Sequence, residues 1–264
     1  MRDLFGIDVS HHNGVIDWTK VKASGVDYAI MKCMYEAKSH RIDERFEYNY
    51  EQCRVHGIET GVYIFIASDS IKDPEADADA LLKHLKNRPL NYGIWLDLES
   101  QALRNQGTKK ISELSYIYTT KFLDAGYDVG IYCNQDWYDH VIGQSLKQDF
   151  YFWIARYPKA DDGLFHAKSK LRPTMQNCVA WQYSSKGRVP GINTHVDMDI
   201  DFSGITKEFI KSPDLKYMTL EEIAAEVWEG KWGSSKTNPT RKELLTRAGY
   251  DYNQVQALVN KMRK

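Results

Sequence analysis

Two carboxylic acids, Asp97 and Glu99, end the apolar segment YGIWLDLES at residues 92–100. Carboxylates are rarely buried without a partner, because desolvating a charge is costly. In a β-strand alternate side chains share a face, which places these two acids about 6–7 Å apart at their Cα atoms. Like charges at that distance raise a neighbour's pKa. A protonated carboxyl beside an ionised one is the pair that acid-catalysed cleavage of a glycosidic bond requires.

The spacing alone is not specific to catalysis. Asp77 and Asp79 have the same spacing, in a stretch whose pattern predicts a solvated helix. Asp97 and Glu99 differ from this pair because they lie at the end of a buried strand and because further acids occur at the ends of other predicted strands. These further acids are Asp8 on the first strand and Asp197, Asp199 or Asp201 on the last.

Eight short apolar segments alternate with helix-like stretches over the first two hundred residues. Pro74 opens a predicted helix that reaches Asn87, and a second predicted helix runs from Lys109 to Ala125. This order predicts an α/β protein whose parallel strands close into a TIM-like (β/α) barrel, with few helices between its last strands. The segments are residues 4–10, 28–34, 61–67, 92–99, 129–134, 150–157, 179–184 and 195–202.

Active sites of such barrels lie at the C-terminal ends of the strands. Strands one and eight are neighbours in a closed barrel, and strand four faces them across the mouth. The acids of these three strands are therefore expected to converge.

The chain after residue 205 has a different pattern. Residues 206–217 contain a Ser-Pro-Asp turn signal and predict a linker, and residues 218–264 predict a small three-helix domain. Leu220, Ile223, Val227 and Trp228 form one apolar stripe, and Val255, Leu258, Val259 and Met262 form another. Three helix starts are indicated by the capping pairs Thr219 with Glu222, Thr240 with Glu243, and Asp251 with Gln254.

Composition excludes several classes of protein. The 35 Lys and Arg residues balance 36 Asp and Glu residues without forming a basic stripe, so no nucleic-acid partner is expected. No run approaches the ~18 apolar residues of a membrane span, and the N-terminus lacks the apolar region of a signal peptide. We expect synthesis in a cytoplasm, no membrane insertion, and release by another route if the substrate is outside.

Cysteine and histidine give no sign of a metal site. The four cysteines lie far apart, without a C-x-x-C pair, and are expected to be buried free thiols rather than disulfides or zinc ligands. His11 and His12 lack a matching set of ligands, and the HHNG segment predicts a loop with an Asn-Gly turn. Neither a metal nor an organic cofactor is expected.

Several consecutive motifs make the first 205 residues recognisable. The motifs are GIDVSHHNG, GVYIF, YGIWLDLE, GIYCN, FWIARY and VAWQYSSKGRVPGINTHVDMD. In this order and spacing, they resemble the family 25 glycoside hydrolases, the N-acetylmuramidases. The resemblance implies an irregular β/α barrel that hydrolyses the β-1,4 bond between N-acetylmuramic acid and N-acetylglucosamine in bacterial peptidoglycan.

The resemblance also implies roles for the acids. Glu99 corresponds to the general acid of the family, and Asp97 would either orient the substrate's acetamido group or stabilise the oxocarbenium-like transition state. Asp8 matches the acid of the first strand and Asp197 that of the last. The family places an aromatic residue four positions after the last acid, whereas Phe202 lies five after Asp197 and three after Asp199. Asp197 is favoured, and Asp199 is the alternative.

Other positions match the sugar groove of the family. The aromatic side chains are expected to line the groove, with a place in the barrel core as the alternative, and two polar side chains are expected to hydrogen-bond the substrate. The aromatic residues are Tyr63, Tyr132, Trp153, Trp181 and Tyr183, and the polar residues are Arg156 and Gln182.

The small domain resembles the short cell-wall-binding repeats of phage lysins. It would tether the enzyme to muropeptide, with a solubility or oligomerisation appendage as the alternative, and the candidate ligand contacts are Trp232, Tyr250 and Tyr252. Together with the missing signal peptide, this resemblance suggests a phage or prophage endolysin. The alternatives for the whole chain are a chitinase-like hydrolase or N-acetylglucosaminidase, and a catalytically inactive wall-binding protein.

Overall fold

An eight-stranded barrel forms the larger part of the molecule. The computed structural model describes residues 2–34, 40–67, 72–86, 88–175, 177–202, 220–232, 234, 240–242, 245 and 252–262. The strands form a closed barrel in chain order, which confirms the fold class predicted from the sequence. They are β1 (Leu4–Val9), β2 (Tyr28–Met34), β3 (Glu59–Phe65), β4 (Ile94–Asp97), β5 (Val129–Asn134), β6 (Phe152–Ala155), β7 (Cys178–Gly187) and β8 (Val196–Asp201).

Helices follow most of the strands and cover the outside of the barrel. They are α1 (Trp18–Ala23), α2 (Phe46–His56), α3 (Pro74–Leu85), α4 (Gln101–Arg104), α5 (Gly107–Asp124), α6 (Gln135–His140) and α7 (Gln144–Asp149). The two helices predicted from Pro74 and Lys109 are thus present as α3 and α5, although Asn87 lies outside the described residues. Among the described residues between β6 and β7 there is no helix, as expected for the last strands.

The eighth strand runs in the opposite direction to the others. Strands β1 to β7 pair in parallel, whereas β8 is antiparallel to both β7 and β1. The expectation of an all-parallel sheet is therefore wrong for β8. Only residues 188–195 join β7 to β8, and a connection this short makes a hairpin rather than a parallel crossover. The N-terminal end of β8, not its C-terminal end, consequently lies at the barrel mouth.

Side chains of β4 point alternately into two different layers of the core, as the sequence predicts. Ile94, Leu96 and Leu98 are buried in the layer between the strands and the outer helices. Trp95 is buried in the barrel interior, where its ring meets Trp153 edge-on at 5.8 Å between centroids. The alternation therefore directs Asp97 toward the interior of the barrel mouth.

The comparison pair Asp77 and Asp79 lies on α3, but only one of the two acids is solvated. The Asp79 carboxylate is exposed and pairs with Lys121. Asp77 is fully buried between α3 and α5, where it accepts a 2.6 Å hydrogen bond from the Tyr118 hydroxyl. The interpretation of this stretch as a solvated helix is wrong for Asp77, because the buried tyrosine supplies a polar partner inside the helix interface.

All four cysteines are buried free thiols, which confirms the sequence interpretation. Burial raises the pKa of Cys33 and Cys53 because it penalises the thiolate. These thiols therefore act as small apolar side chains of the core.

The C-terminal part has its own small core. Helices α8 (Leu220–Trp228) and α9 (Tyr252–Lys261) pack through a cluster that includes Ile223, Val227, Val255 and Val259. Trp228 and Met262 were expected in the two apolar stripes, but their side chains are 52% and 46% exposed because they lie at the edge of the helix interface.

The rest of the C-terminal prediction is not tested by the structure. The proposed linker, Tyr250 and one or both members of each capping pair lie outside the described residues or side chains. The boundaries 1–205, 206–217 and 218–264 stay predictions. No helix in the described part of the chain is long and apolar enough to cross a membrane.

Candidate active site

A polar cavity of about 220 Å³ occupies the barrel mouth. Its walls come from the mouth ends of seven strands or the residues that follow them. It is lined by Asp8, Tyr63, Asp97, Glu99, Tyr132, Trp153, Tyr157, Gln182 and Asp197. The structure thus brings together all four acids predicted to be catalytic.

Asp97 and Glu99 differ in their access to solvent. Asp97 is the last residue of β4 and is buried, whereas Glu99 follows the strand and is exposed at the cavity edge. Burial raises the pKa of Asp97 well above its usual range, and the neighbouring Glu99 carboxylate raises it further. Desolvation also raises the pKa of Glu99. The pair therefore holds a proton more readily than two isolated carboxyls would.

The antiparallel direction of β8 decides which of its acids reach the cavity. Asp197 pairs with Asp8 across the β1–β8 ladder and lines the cavity. Asp199 lies one layer deeper, where it accepts a 2.8 Å hydrogen bond from Trp153 Nε1. Asp201 is at the opposite end of the barrel and accepts a hydrogen bond from the Tyr92 hydroxyl. By position, Asp197 is the β8 acid available to a ligand, and the catalytic role of either acid stays a prediction.

The acids of β1 and β8 also have raised pKa values. Burial, followed by the charge of Glu99, raises the pKa of Asp197 to about 6. Burial, followed by the charge of Asp197, raises the pKa of both Asp8 and Asp199. Groups of carboxyls with raised pKa values in a cleft are typical of catalytic sites.

Gln182 is held in a hydrogen-bond network within the cavity wall. Its side-chain oxygen accepts hydrogen bonds from the hydroxyls of Tyr132, at 2.8 Å, and Tyr157. Its Nε2 donates to Asp8 Oδ2 at 2.6 Å. The two hydroxyls fix the amide orientation, so Gln182 presents a donor to Asp8. In this structure Gln182 contacts Asp8 and positions its carboxylate. The expected contact of Gln182 with substrate stays a prediction.

Three predicted groove residues are not at the cavity. Trp181 and Tyr183 lie on the outer face of β7 among Phe165 and Ile200, because the intervening Gln182 takes the inward position. Arg156 follows β6, and its Nη1 reaches the carbonyl of Leu171 at 3.5 Å. Trp181 and Tyr183 thus have the alternative position, in a packed apolar cluster, and the expected hydrogen bond from Arg156 to substrate stays a prediction. Tyr63, Tyr132 and Trp153 do line it.

Tyr157 and Lys32 belong to the site, although the sequence analysis did not select them. Tyr157 ends the FWIARY motif and lines the cavity. Lys32 lies on β2, and its positive charge opposes the rise in pKa of both Asp97 and Glu99. A lysine inside the apolar segment YAIMKCM is the signal that could have identified this position.

We expect Lys32→Met to move the pH profile of any acid-catalysed reaction at this site. Removing the cation destabilises both carboxylates, so the pKa values of Asp97 and Glu99 rise. If Glu99 must be protonated to act, activity is lost above its pKa, and the alkaline limb of the profile should shift to higher pH. The measurement is the rate against pH, with Lys83→Met on α3 as the control. An unchanged alkaline limb would contradict this coupling.

The HHNG segment forms a short 3-10 helix, His11–Asn13, followed by Gly14 with φ +69°. His11 Nδ1 lies 2.8 Å from the carboxylate of Asp43, which is buried and also accepts from the His11 backbone N–H. The first histidine is therefore part of a local structural contact. Within the described ranges, no group of three His, Cys, Asp or Glu side chains is placed to hold a metal ion.

Comparison with known proteins finds similarity in both parts of the chain. Residues 221–262 match the CW_7 repeat. The chain is 25% identical over 201 residues to an autolytic lysozyme of Clostridium acetobutylicum, covering 76% of this chain and 56% of that protein. It is 29% identical over 206 residues to lysozyme M1 of Streptomyces globisporus, covering 73% and 65%. The chain therefore spans less than two thirds of either relative.

A solved structure shares the barrel. The modular autolysin LytC from Streptococcus pneumoniae, in complex with a synthetic peptidoglycan ligand, superposes with a TM-score of 0.63. It is 25% identical, and the match covers 75% of this chain and 46% of that one. Residues 7–192 match the glycosyl hydrolases family 25, and this chain belongs to that family.

Proposed function

We propose that the protein hydrolyses the β-1,4 bond between N-acetylmuramic acid and N-acetylglucosamine in bacterial peptidoglycan and thereby lyses cells. The observation that carries the proposal is the Asp97–Glu99 pair at the mouth of a family 25 barrel. Desolvation raises the pKa of both carboxyls, and two further acids line the same cavity. The lysozyme relatives support the choice of peptidoglycan.

Glu99 is the proposed general acid. Its position at the cavity edge leaves the carboxyl accessible to the oxygen of a glycosidic bond, whereas Asp97 lies beneath it. Protonation of that oxygen allows the bond to break with an oxocarbenium-like charge on the sugar that remains. An ionised carboxylate at Asp197 would stabilise this positive charge from the opposite side of the mouth.

Asp97 is the proposed partner of Glu99, and its geometry favours an orienting role. Its Oδ1 is buried and has no hydrogen-bond partner within the described residues. A buried acceptor of this kind gains free energy by binding an N–H donor. The acetamido N–H of an N-acetylated sugar is such a donor, so Asp97 would hold that group beside the bond that breaks.

Digestion of purified cell walls tests the proposal against its alternatives. A muramidase clears the suspension and releases new reducing ends of N-acetylmuramic acid. New N-acetylglucosamine ends would instead indicate the N-acetylglucosaminidase or chitinase-like reaction. Binding to sedimented walls without clearing would indicate an inactive wall-binding protein.

The C-terminal unit is proposed to tether the enzyme to the wall. The CW_7 match and the exposed indole of Trp228 support this role, because aromatic side chains pack well against sugar rings and peptide. Trp232 and Tyr252 are half-buried against the small core, and Trp232 Nε1 donates to Glu226. Trp228 is therefore the more accessible contact of the three. How the protein reaches the wall stays a prediction.

We expect Trp228→Ala to weaken binding to insoluble walls by about tenfold, which is the effect of losing one aromatic contact residue. Sedimentation binding, with Glu99→Gln as the background to prevent digestion, measures this change. Met262→Ala is the matched control, because it removes another exposed apolar side chain of the same unit. Equal binding by the two variants would exclude Trp228 from the wall contact.

A further inference from the structure

A second cavity, of about 500 Å³, lies on the outer face of the β7–β8 hairpin, and we call it the hairpin pocket. Its floor includes Phe165, Tyr183 and Met198, and its rim includes Lys186, Arg188 and His195. The rings of Phe165 and Tyr183 meet at 5.3 Å between centroids, so the floor is packed. None of these six residues lines the cavity at the barrel mouth.

The two cavities share the hairpin as a common wall. Gln182 and Asp197 line the mouth cavity. Their neighbours in the chain, Tyr183 and Met198, line the hairpin pocket. Because side chains alternate across a sheet, these neighbours point to opposite faces. One layer of strands therefore separates the two cavities.

Each of the two acids of the hairpin pocket has a polar partner. Asp161 accepts from Ser184 Oγ at 2.6 Å and from the Ser185 backbone at 3.0 Å. Partial burial opposes ionisation of Asp161, but these hydrogen bonds outweigh it and its pKa is lowered. Asp162 lies 2.9 Å from His166 Nε2. Asp161 therefore fixes the loop at 161–165 to β7, whereas Asp162 stays exposed in a local contact with His166.

Close backbone packing makes the same loop rigid. Gly163 has φ +78°, and a Cβ at this position would lie 2.5 Å from the Lys186 carbonyl oxygen. Only glycine permits this approach, so the loop is pressed onto β7 at the point where the rim begins. The pocket is thus a formed feature of the fold.

Three basic side chains lie at the rim, beside the exposed Asp162 that pairs with His166. Lys186, Arg188 and His195 are all exposed at the rim. Within the described ranges, Arg188 and His195 have no ion-pair partner. A packed apolar floor below exposed cations suits a ligand that carries carboxylates together with small apolar groups.

We propose that the hairpin pocket binds the acidic peptide stem attached to the N-acetylmuramic acid residue whose glycan chain occupies the barrel mouth. This inference rests on the proposed function. The stem branches from the sugar through its lactyl group and carries carboxylates and alanine methyl groups, which match the rim and the floor respectively. Arg188 and His195, just outside the ends of β7 and β8, lie where a branch leaving the mouth crosses the hairpin.

The test compares two soluble substrates made from the same glycan strands. One keeps its peptide stems, and the other has lost them to an amidase. The double variant Lys186→Gln, Arg188→Gln should raise KM about fivefold on the strands with peptide, as expected for two surface ion pairs. On the stripped strands its KM and kcat should equal those of the wild type. Added salt should reduce the wild-type preference for the strands with peptide.

The matched control is Lys168→Gln, Lys170→Gln, which removes two exposed cations near the hairpin pocket but outside its lining. Its kinetics should be those of the wild type on both substrates. An equal KM for the wild type and the Lys186/Arg188 variant on strands with peptide would overturn the inference, as would an equal loss on both substrates. If the wild type cleaved neither substrate, the proposed function itself would fail.

Discussion

Glu99→Gln should reduce the rate of glycan hydrolysis by about 10²–10⁴-fold, because general acid catalysis contributes a factor of this size. The substitution keeps the size and shape of the side chain but removes the proton it would donate. Its side chain is exposed at the cavity edge, and removal of its charge relieves the repulsion that it exerts on Asp97 and Asp197. The folded structure and binding to walls should therefore survive.

The rate should be measured on soluble glycan strands, and wall binding by sedimentation. Glu113→Gln on α5 is the matched control, since it makes the same chemical change on the helix surface. The residual activity of Glu99→Gln should lack the alkaline limb that the wild type shows. Wild-type activity in this variant would remove Glu99 from the reaction.

The period of side-chain alternation made the acid pair predictable. In YGIWLDLE, every second residue is aliphatic and packs under helices, so the direction of Asp97 followed from the pattern alone. The same rule applied to VAWQYS gives Gln182 one face and its two aromatic neighbours the other. The resemblance to family 25 placed all three at the groove, and local alternation shows why only Gln182 reaches it.

The direction of β8 could not be deduced from apolar periodicity, because a strand has the same pattern in either direction. The length of its connection to β7 was the available signal, since eight residues cannot make a parallel crossover. The direction of β8 determines which acids are available for chemistry. Reversal brings Asp197 to the mouth and sends Asp201 to the far end, so one short hairpin determines which acid of HVDMDID can meet substrate.

The tertiary partners of the buried acids could not be predicted from the sequence either. Tyr118 and Asp77 are 41 positions apart, and Gln182 and Asp8 are 174 positions apart. Each acid on its own is typical of a solvated surface, and only the tertiary contact makes its burial favourable. Lys32 is the corresponding case among cations, because its influence on Asp97 and Glu99 depends on β2 and β4 lying on either side of β3 around the mouth.

Gly93→Ala should be strongly destabilising, because Gly93 sets the start of the strand that carries Asp97. Its φ is +59°, a region that costs a residue with a Cβ about 1–2 kcal/mol. A Cβ there would also lie 2.6 Å from the Asp128 carbonyl oxygen, which accepts the 2.8 Å hydrogen bond from Ile94. Overpacking adds about 1–3 kcal/mol. We expect a total loss of about 2–5 kcal/mol in the free energy of unfolding.

Gly126→Ala separates the cost of the positive φ from the cost of overpacking, because Gly126 has φ +81° and open space where the Cβ would be. The free energy of unfolding of this variant should fall only by the conformational cost, about 1–2 kcal/mol. Urea unfolding followed by fluorescence of the buried barrel tryptophans measures both variants. A loss in Gly93→Ala no greater than that in Gly126→Ala would show that β4 can move away from Asp128. Activity lost by Gly93→Ala under folding conditions would then report displacement of Asp97 and Glu99, since the strand transmits any shift at its start to the acids at its end.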